Sequence, residues 1–268
     1  MSAHRLRRAP LLALVLVLLV TGCGGTDEPG GAKDKGPGTA RSSATPVKKD
    51  PPPDPGFGAP QVGQCYLIFA RQSKASVASG RLVGCEKRHT TVVAFVGLRP
   101  RPVTPKTPVA NRRRLGERVC EPAYRKAVGG TLADRATSIL TWTLYTPTQA
   151  QLKRGARWVR CDVLARGGDK LIPLPQQRPL LAGGVPEQLR ICQTEAGTDI
   201  SCSLPHAYRV EAVYPAVGDA YPDTAAYTPQ ARQRCQQLTN KAGGFWQAPS
   251  KQGWAAGDRF IRCLTASG

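Results

Sequence analysis

Apolar and polar residues along this chain fall into short interrupted runs, and only residues 11–20 are continuously apolar. Ten residues fall short of the ~20 needed to cross a bilayer core, which rules out a polytopic transporter or channel. Two β-rich runs stand out, Thr-Thr-Val-Val-Ala-Phe-Val after His89 and Ala-Tyr-Arg-Val-Glu-Ala-Val after His206. Further on, Ala231, Cys235, Leu238 and Ala242 recur at helical spacing and predict one buried face. Thr228 and Pro229 supply an N-cap and first-turn pair for that helix, and Gly243 a stop. Cys120, Tyr124 and Ala127 mark a corresponding face upstream, where Pro122 leaves the helix start open. Thr148 and Gln151 form a Thr-x-x-Gln capping pattern for a short turn ending at Gly155. Residues 157–161 then read as a strand, with Trp158 and Arg160 on one face and Val159 and Cys161 on the inner one. Residues 193–201 read as a hairpin turning near Ala196-Gly197.

The cysteines divide as one plus eight. Cys23 follows the apolar run, and Cys65, Cys85, Cys120, Cys161, Cys192, Cys202, Cys235 and Cys263 form two sets of four whose surroundings repeat. Each set contains a Cys-x3-His, at Cys85/His89 and Cys202/His206, and its third cysteine leads to a glycine pair. Each set closes on a block in which Pro147/Pro249, Gly155/Gly257, Arg157/Arg259, Arg160/Arg262 and Cys161/Cys263 coincide without gaps. This pattern reads as an internal duplication, with one copy over 61–166 and another over 185–268. The expected architecture is α+β: two tandem disulfide-stapled repeats, each a small, mostly antiparallel sheet with one main helix. Four cysteines allow three pairings. Cysteines on paired strands can reach bonding distance, which favours first-to-second and third-to-fourth: Cys65–Cys85, Cys120–Cys161, Cys192–Cys202 and Cys235–Cys263.

Charge and composition add a cellular setting. Arg5, Arg7 and Arg8 before the apolar run give the outline of an export signal over residues 1–22. The sequence Val20-Thr21-Gly22-Cys23 resembles a bacterial lipobox, in which the cysteine thiol receives a diacylglycerol. Acylation there implies palmitate-type chains and a lipid-anchored protein on the outer face of the cytoplasmic membrane. Residues 23–60 are rich in Gly, Pro, Ser, Thr, Ala, Lys and Asp, with Val47 and Phe57 nearly the only large apolar side chains, and read as a disordered linker. Lys and Arg outnumber Asp and Glu by 38 to 18. The excess is concentrated, with 20 basic against five acidic residues in 61–166 and ten against eight in 167–268.

The order Gly63-x-Cys65, Cys85-x3-His89, a helix cysteine and Pro-[Thr/Ser]-x3-[Leu/Trp]-x2-Gly-x-Arg-x3-Cys resembles the septum-formation domain family, largely exported or membrane-anchored actinobacterial proteins. The second copy matches more closely, through Pro205-His206, Ala220-Tyr221-Pro222 and residues 254–259. The first departs at Arg88 and Leu152, where Pro and Trp are usual, and the second has Arg190 in place of the early glycine. The resemblance implies a role in division-septum formation and specifies no reaction.

Candidate chemistry is sparse. Zinc needs thiolates and usually four ligands, whereas exported cysteines oxidise and each repeat offers one histidine. His89 and His206 are therefore expected as structural residues bonded to backbone, with no metal and no cofactor. The chain contains no His-Glu-x-x-His, no Gly-x-Ser-x-Gly and no phosphate-binding glycine loop, so no catalytic residue is assigned and the chain is not expected to be an enzyme. The basic stretch is the stronger hint: Arg99, Arg101, Lys106, Arg112, Arg113 and Arg114 form an expected polyanion contact. Its partner would be anionic lipid, a wall polymer or an acidic envelope protein, and not nucleic acid. The function expected is a non-catalytic binding or scaffolding module of the cell envelope. Two alternative classes are a small-molecule or lipid-binding carrier, which needs an apolar cavity, and an envelope enzyme, which needs polar groups converging on His89 or His206.

Overall fold

The structure is a computed structural model that describes residues 51–241, 244–255 and 257–267. The expected signal segment, Cys23, the expected linker up to residue 50, and Ala242 and Gly243, expected at the helix end, lie outside the described residues.

The first module contains β1 (Cys65–Leu67), α1 (Ala70–Ser73), β2 (Arg81–Val83), β3 (Thr91–Leu98), α2 (Val109–Val128), α3 (Leu132–Ala136), β4 (Leu140–Tyr145), α4 (Gln149–Lys153), β5 (Trp158–Gly167) and β6 (Lys170–Ile172). The second contains β7 (Ile191–Gln193), β8 (Asp199–Ser201), β9 (Tyr208–Pro215), α5 (Thr224–Thr239), β10 (Phe245–Gln247), α6 (Lys251–Ala255) and β11 (Phe260–Ala266). Strands run in the order β2-β1-β3-β5-β4 in one sheet, with β6 also on β5, and β8-β7-β9-β11-β10 in the other. All the pairs are antiparallel. The two orders correspond strand for strand, and each module sends its main helix across between its third and fourth strands. Each is therefore a sheet-containing α+β module with its own disulfides.

Cys65 is bonded to Cys85, Cys120 to Cys161, Cys192 to Cys202 and Cys235 to Cys263. In each module one bridge ties the first strand to the loop after the second, and the other pins the main helix to the fifth strand. Gly155 and Gly257, the paired glycines before those fifth strands, both take φ of 93°, a left-handed conformation that only glycine adopts without strain.

Several elements differ from the expectation. α2 runs from Val109 straight through Pro122, burying Leu115, Gly116, Cys120, Tyr124 and Val128, while Ala127 is only half-buried. Gly116 is required by contact, since a Cβ there would lie 2.5 Å from the Trp142 ring. α5 starts a turn earlier than expected because the Asp223 carboxylate accepts from the Ala225 N–H, leaving Pro229 inside the helix. It ends at Thr239 with Asn240 left-handed, and Leu238 faces solvent rather than the sheet.

Residues 53–58, expected as part of a disordered linker, are held against the first module. Asp54 N–H donates to Arg154 O, Arg157 N–H to Pro55 O and the Trp158 indole to Phe57 O, so residues 53–58 lie against α4 and β5. Composition concealed this because the segment is held by backbone carbonyls and one aromatic ring, with Arg154 stacked 4.3 Å from the Phe57 centroid. That cover encloses Trp158 on the outer face of β5, where the Tyr66 and Tyr145 rings flank Arg160, so Trp158 and Arg160 are buried along with Val159 and Cys161.

The two modules share one core. Tyr124, Val128, Val163 and Ala165 of the first pack in the same cluster as Ile191, Val210 and Leu264 of the second. Leu174, Leu180 and Leu181, from the stretch between the two expected repeats, and Leu189, at the start of the second, fill the middle. Ser138 and Arg190 form an antiparallel bridge, flanked by Ile139 N–H to Leu189 O at 2.8 Å and Ile191 N–H to Thr137 O at 2.9 Å.

Candidate functional site

The basic residues singled out in the sequence lie at the end of β3, along the proline-rich loop after it and on the first turns of α2. The structure brings them into one region but gives them different tasks. Arg99 is half-buried, and its N–H donates to Arg157 O. Arg112 is half-buried too, donating to Pro105 O at 2.6 Å and Thr107 O at 3.0 Å, so its guanidinium fastens the loop to the helix. Arg113 pairs with Glu117 one turn on, at 3.0 Å on the exposed helix face. Arg101, Lys106 and Arg114 are exposed, and no hydrogen-bond or ion-pair partner for their side chains is found among the described residues.

Lys106 stands on the rim of an open cleft of about 720 Å³ between the proline-rich loop and α4, with Pro102, Pro105, Gln149, Leu152 and Arg157 among its walls. Arg157 is the functional candidate missed by the sequence reading. Its guanidinium donates to Pro100 O at 2.9 Å and turns toward this cleft. The signal was available, because Arg157 and Arg259 coincide in the two closing blocks. Their surroundings separate them: Arg259 lies 4.1 Å from the Trp254 ring, while the first module has Leu152 at that place. The cleft thus combines two cations with prolines and an amide side chain, and no acidic side chain among the described residues lines it. Such a surface attracts anions.

The two histidines have matching local roles. His89 is fully buried and donates from Nδ1 to Lys87 O at 2.8 Å, leaving Nε2 to accept from Arg178 at 3.2 Å. Burial lowers the Arg178 guanidinium from its ordinary value. His206 makes the equivalent Nδ1 bond to Leu204 O, two residues back, at 2.7 Å. In both cases the imidazole closes the turn that precedes a long strand. Cys192, Cys202 and His206 place their potential ligand atoms within 4.8 Å of one another, the one such group of three among the described residues. Cys192 and Cys202 are bonded to each other, so neither offers the thiolate that zinc requires. No complete catalytic constellation is found among the described residues, and no helix among them is long and apolar enough to cross a membrane.

No curated protein and no solved structure matches this chain. Kinship is shown instead at the level of the family: the model described as septum formation matches residues 62–263, taking in both modules and the stretch between them, and the chain belongs to the septum-formation family.

Proposed function

We propose that the protein is a non-catalytic lipoprotein of the cell envelope that serves in septum formation as a membrane-tethered binding module. Cys23 carries the diacylglycerol on the outer face of the cytoplasmic membrane, and the linker holds the two-module body off the lipid. The first module supplies a basic contact for a polyanion, whether anionic lipid, wall polymer or acidic envelope protein. The observation that carries this reading is the set of exposed cations without side-chain partners among the described residues, Arg101, Lys106 and Arg114, of which Lys106 lines a cleft that it shares with Arg157. Charges of this kind attract anionic surfaces by ~1 kcal/mol each, fading within a Debye length. The correspondence of strand order and of the closing blocks supports an origin by duplication, with the basic excess concentrated in one copy.

The test is the live-cell position of a fusion carrying an export-competent fluorophore. The wild-type chain is expected at the division plane, and Cys23→Ser should release it from the membrane. The triple variant Arg101→Ser/Lys106→Ser/Arg114→Ser, which spares the loop anchor Arg112, should remain on the membrane but lose septal enrichment. Uniform wild-type signal through division would remove the septal reading, and unchanged enrichment of the triple variant would remove the basic contact.

A further inference from the structure

The two modules treat the outer edge of their fourth strand in opposite ways. In the first, chain from the same module covers the edge of β4: Val77 bridges to Thr146, Thr146 N–H donates to Ser76 O at 2.8 Å, and the Thr143 hydroxyl reaches Ser73 O. The space between β4 and α2 is filled by the Trp142 ring, which packs on Gly116 and donates to Glu121 at 2.8 Å. In the second module β10 pairs only with β11 among the described residues. The corresponding space between β10 and α5 is an open cleft of about 740 Å³.

The chemistry of that cleft is specific. Trp246 lies opposite Cys263 in the strand register, and Cys263 is bonded to Cys235 of α5, so Trp246 stands on the helix-covered side of the sheet. Tyr227 packs against it, with ring centroids 5.5 Å apart. From the other wall α5 presents Thr224, Thr228, Arg232 and Gln236, a row at four-residue spacing that is polar where a helix facing a strand is normally apolar. Arg232 is the single charged residue lining the cleft among the described residues.

We propose that this cleft receives an extended peptide segment that adds as a further strand to the free edge of β10 and places an acidic side chain against Arg232. An unpaired strand edge is a template for another chain, and natural folds usually blunt or cover it, as the first module does for β4. Strand addition in a groove between an edge strand and a helix draws affinity from main-chain hydrogen bonds and selectivity from alternate side chains. The occupant's acidity follows from charge complementarity with Arg232. This site does not rest on the basic contact of the first module.

The experiment uses the full chain against a phage library of seven-residue peptides, followed by affinity measurements on the selected sequences. Enriched β-prone peptides with an acidic residue at one position are expected. N-methylation of alternate backbone amides, which removes strand hydrogen bonds, should weaken binding about tenfold or more. Glu→Lys in the peptide should weaken binding to the wild-type chain and have far less effect on the Arg232→Gln variant, whose substitution is on the helix surface and leaves the fold intact. No enrichment, or binding indifferent to both N-methylation and Arg232→Gln, would overturn the proposal. So would a chain that dimerises through β10 in sedimentation, or a cleft that binds oligosaccharide in preference to every peptide.

Discussion

Arg160 and Asp162 stand two positions apart on β5 and therefore share a face. Arg160 is 4% exposed and Asp162 not at all, and the guanidinium meets both carboxylate oxygens, at 2.8 and 2.6 Å. The Tyr66 ring lies 4.2 Å from the guanidinium, and the Tyr145 ring 5.2 Å. Breaking such a pair strands a buried charge at a cost of about 3–5 kcal/mol, whereas replacing both partners by apolar residues of similar volume is often neutral. In urea denaturation of the full chain, Asp162→Ala should lose about that much, and Arg160→Met/Asp162→Leu should lose less than Asp162→Ala alone. Losses that simply add would show that the two charges are not coupled. Strand alternation correctly put Arg160 opposite Cys161. It gave no sign that the opposite face is also interior, because the cover comes from elsewhere in the chain, residues 53–58 over Trp158 and the Tyr66 and Tyr145 rings over Arg160. The second module shows the same arginine under other constraints. Position 264 is Leu, so Arg262 reaches instead to Asp199 of β8, at 2.7 Å, in a half-exposed setting.

The main helices make the same point at the scale of elements. α2 presses five buried residues onto its sheet, whereas α5 buries only Ala231 and Cys235. The Cys235–Cys263 bridge must then hold α5 largely by itself, while Cys120–Cys161 reinforces a helix already held by packing. Closing loops of 28 and 41 residues contributes about 3–4 kcal/mol each in the chain-entropy account. The bridges should therefore differ in where their loss is felt. With Cys235→Ser/Cys263→Ser, amides of α5 are expected to exchange early while the first module stays protected. With Cys120→Ser/Cys161→Ser, α2 should keep its relative protection, and only the global stability should fall. Equal local loosening of both helices would show that buried side chains do not decide the matter. The existence of both helices was legible from their cysteine-containing faces. The boundaries of α5 were not, because Thr228-Pro229 reads as a cap while the Asp223 carboxylate captures the helix a turn earlier.

At the scale of the molecule, the repeated cysteines implied two domains, and the structure has two sheets over one core. Repetition exposes what the copies have in common, and the joint is made from what they do not. Ile139 sits just before β4, while Leu180, Leu181 and Leu189 fall between or at the margin of the matched blocks, so no repeat pattern could reveal them as the centre of the protein. The range of the family match, 62–263, likewise takes in the connecting stretch along with both modules. Leu189 is fully buried, and its carbonyl accepts the Ile139 N–H across the joint, so both modules depend on it. Leu189→Ala should cost about 2–5 kcal/mol, the range for a buried leucine that leaves a cavity. Because the cavity opens in a core common to both sheets, the loss should be shared. Calorimetry of the full chain should show one transition, with calorimetric and van't Hoff enthalpies equal, and Leu189→Ala should move that single transition down intact. Two transitions in the wild-type chain, or a variant in which only the second module melts earlier, would mean that the modules fold separately and merely touch. A single transition would mean that a ligand held by either module raises the stability of both, by the mass action of binding to the folded state alone.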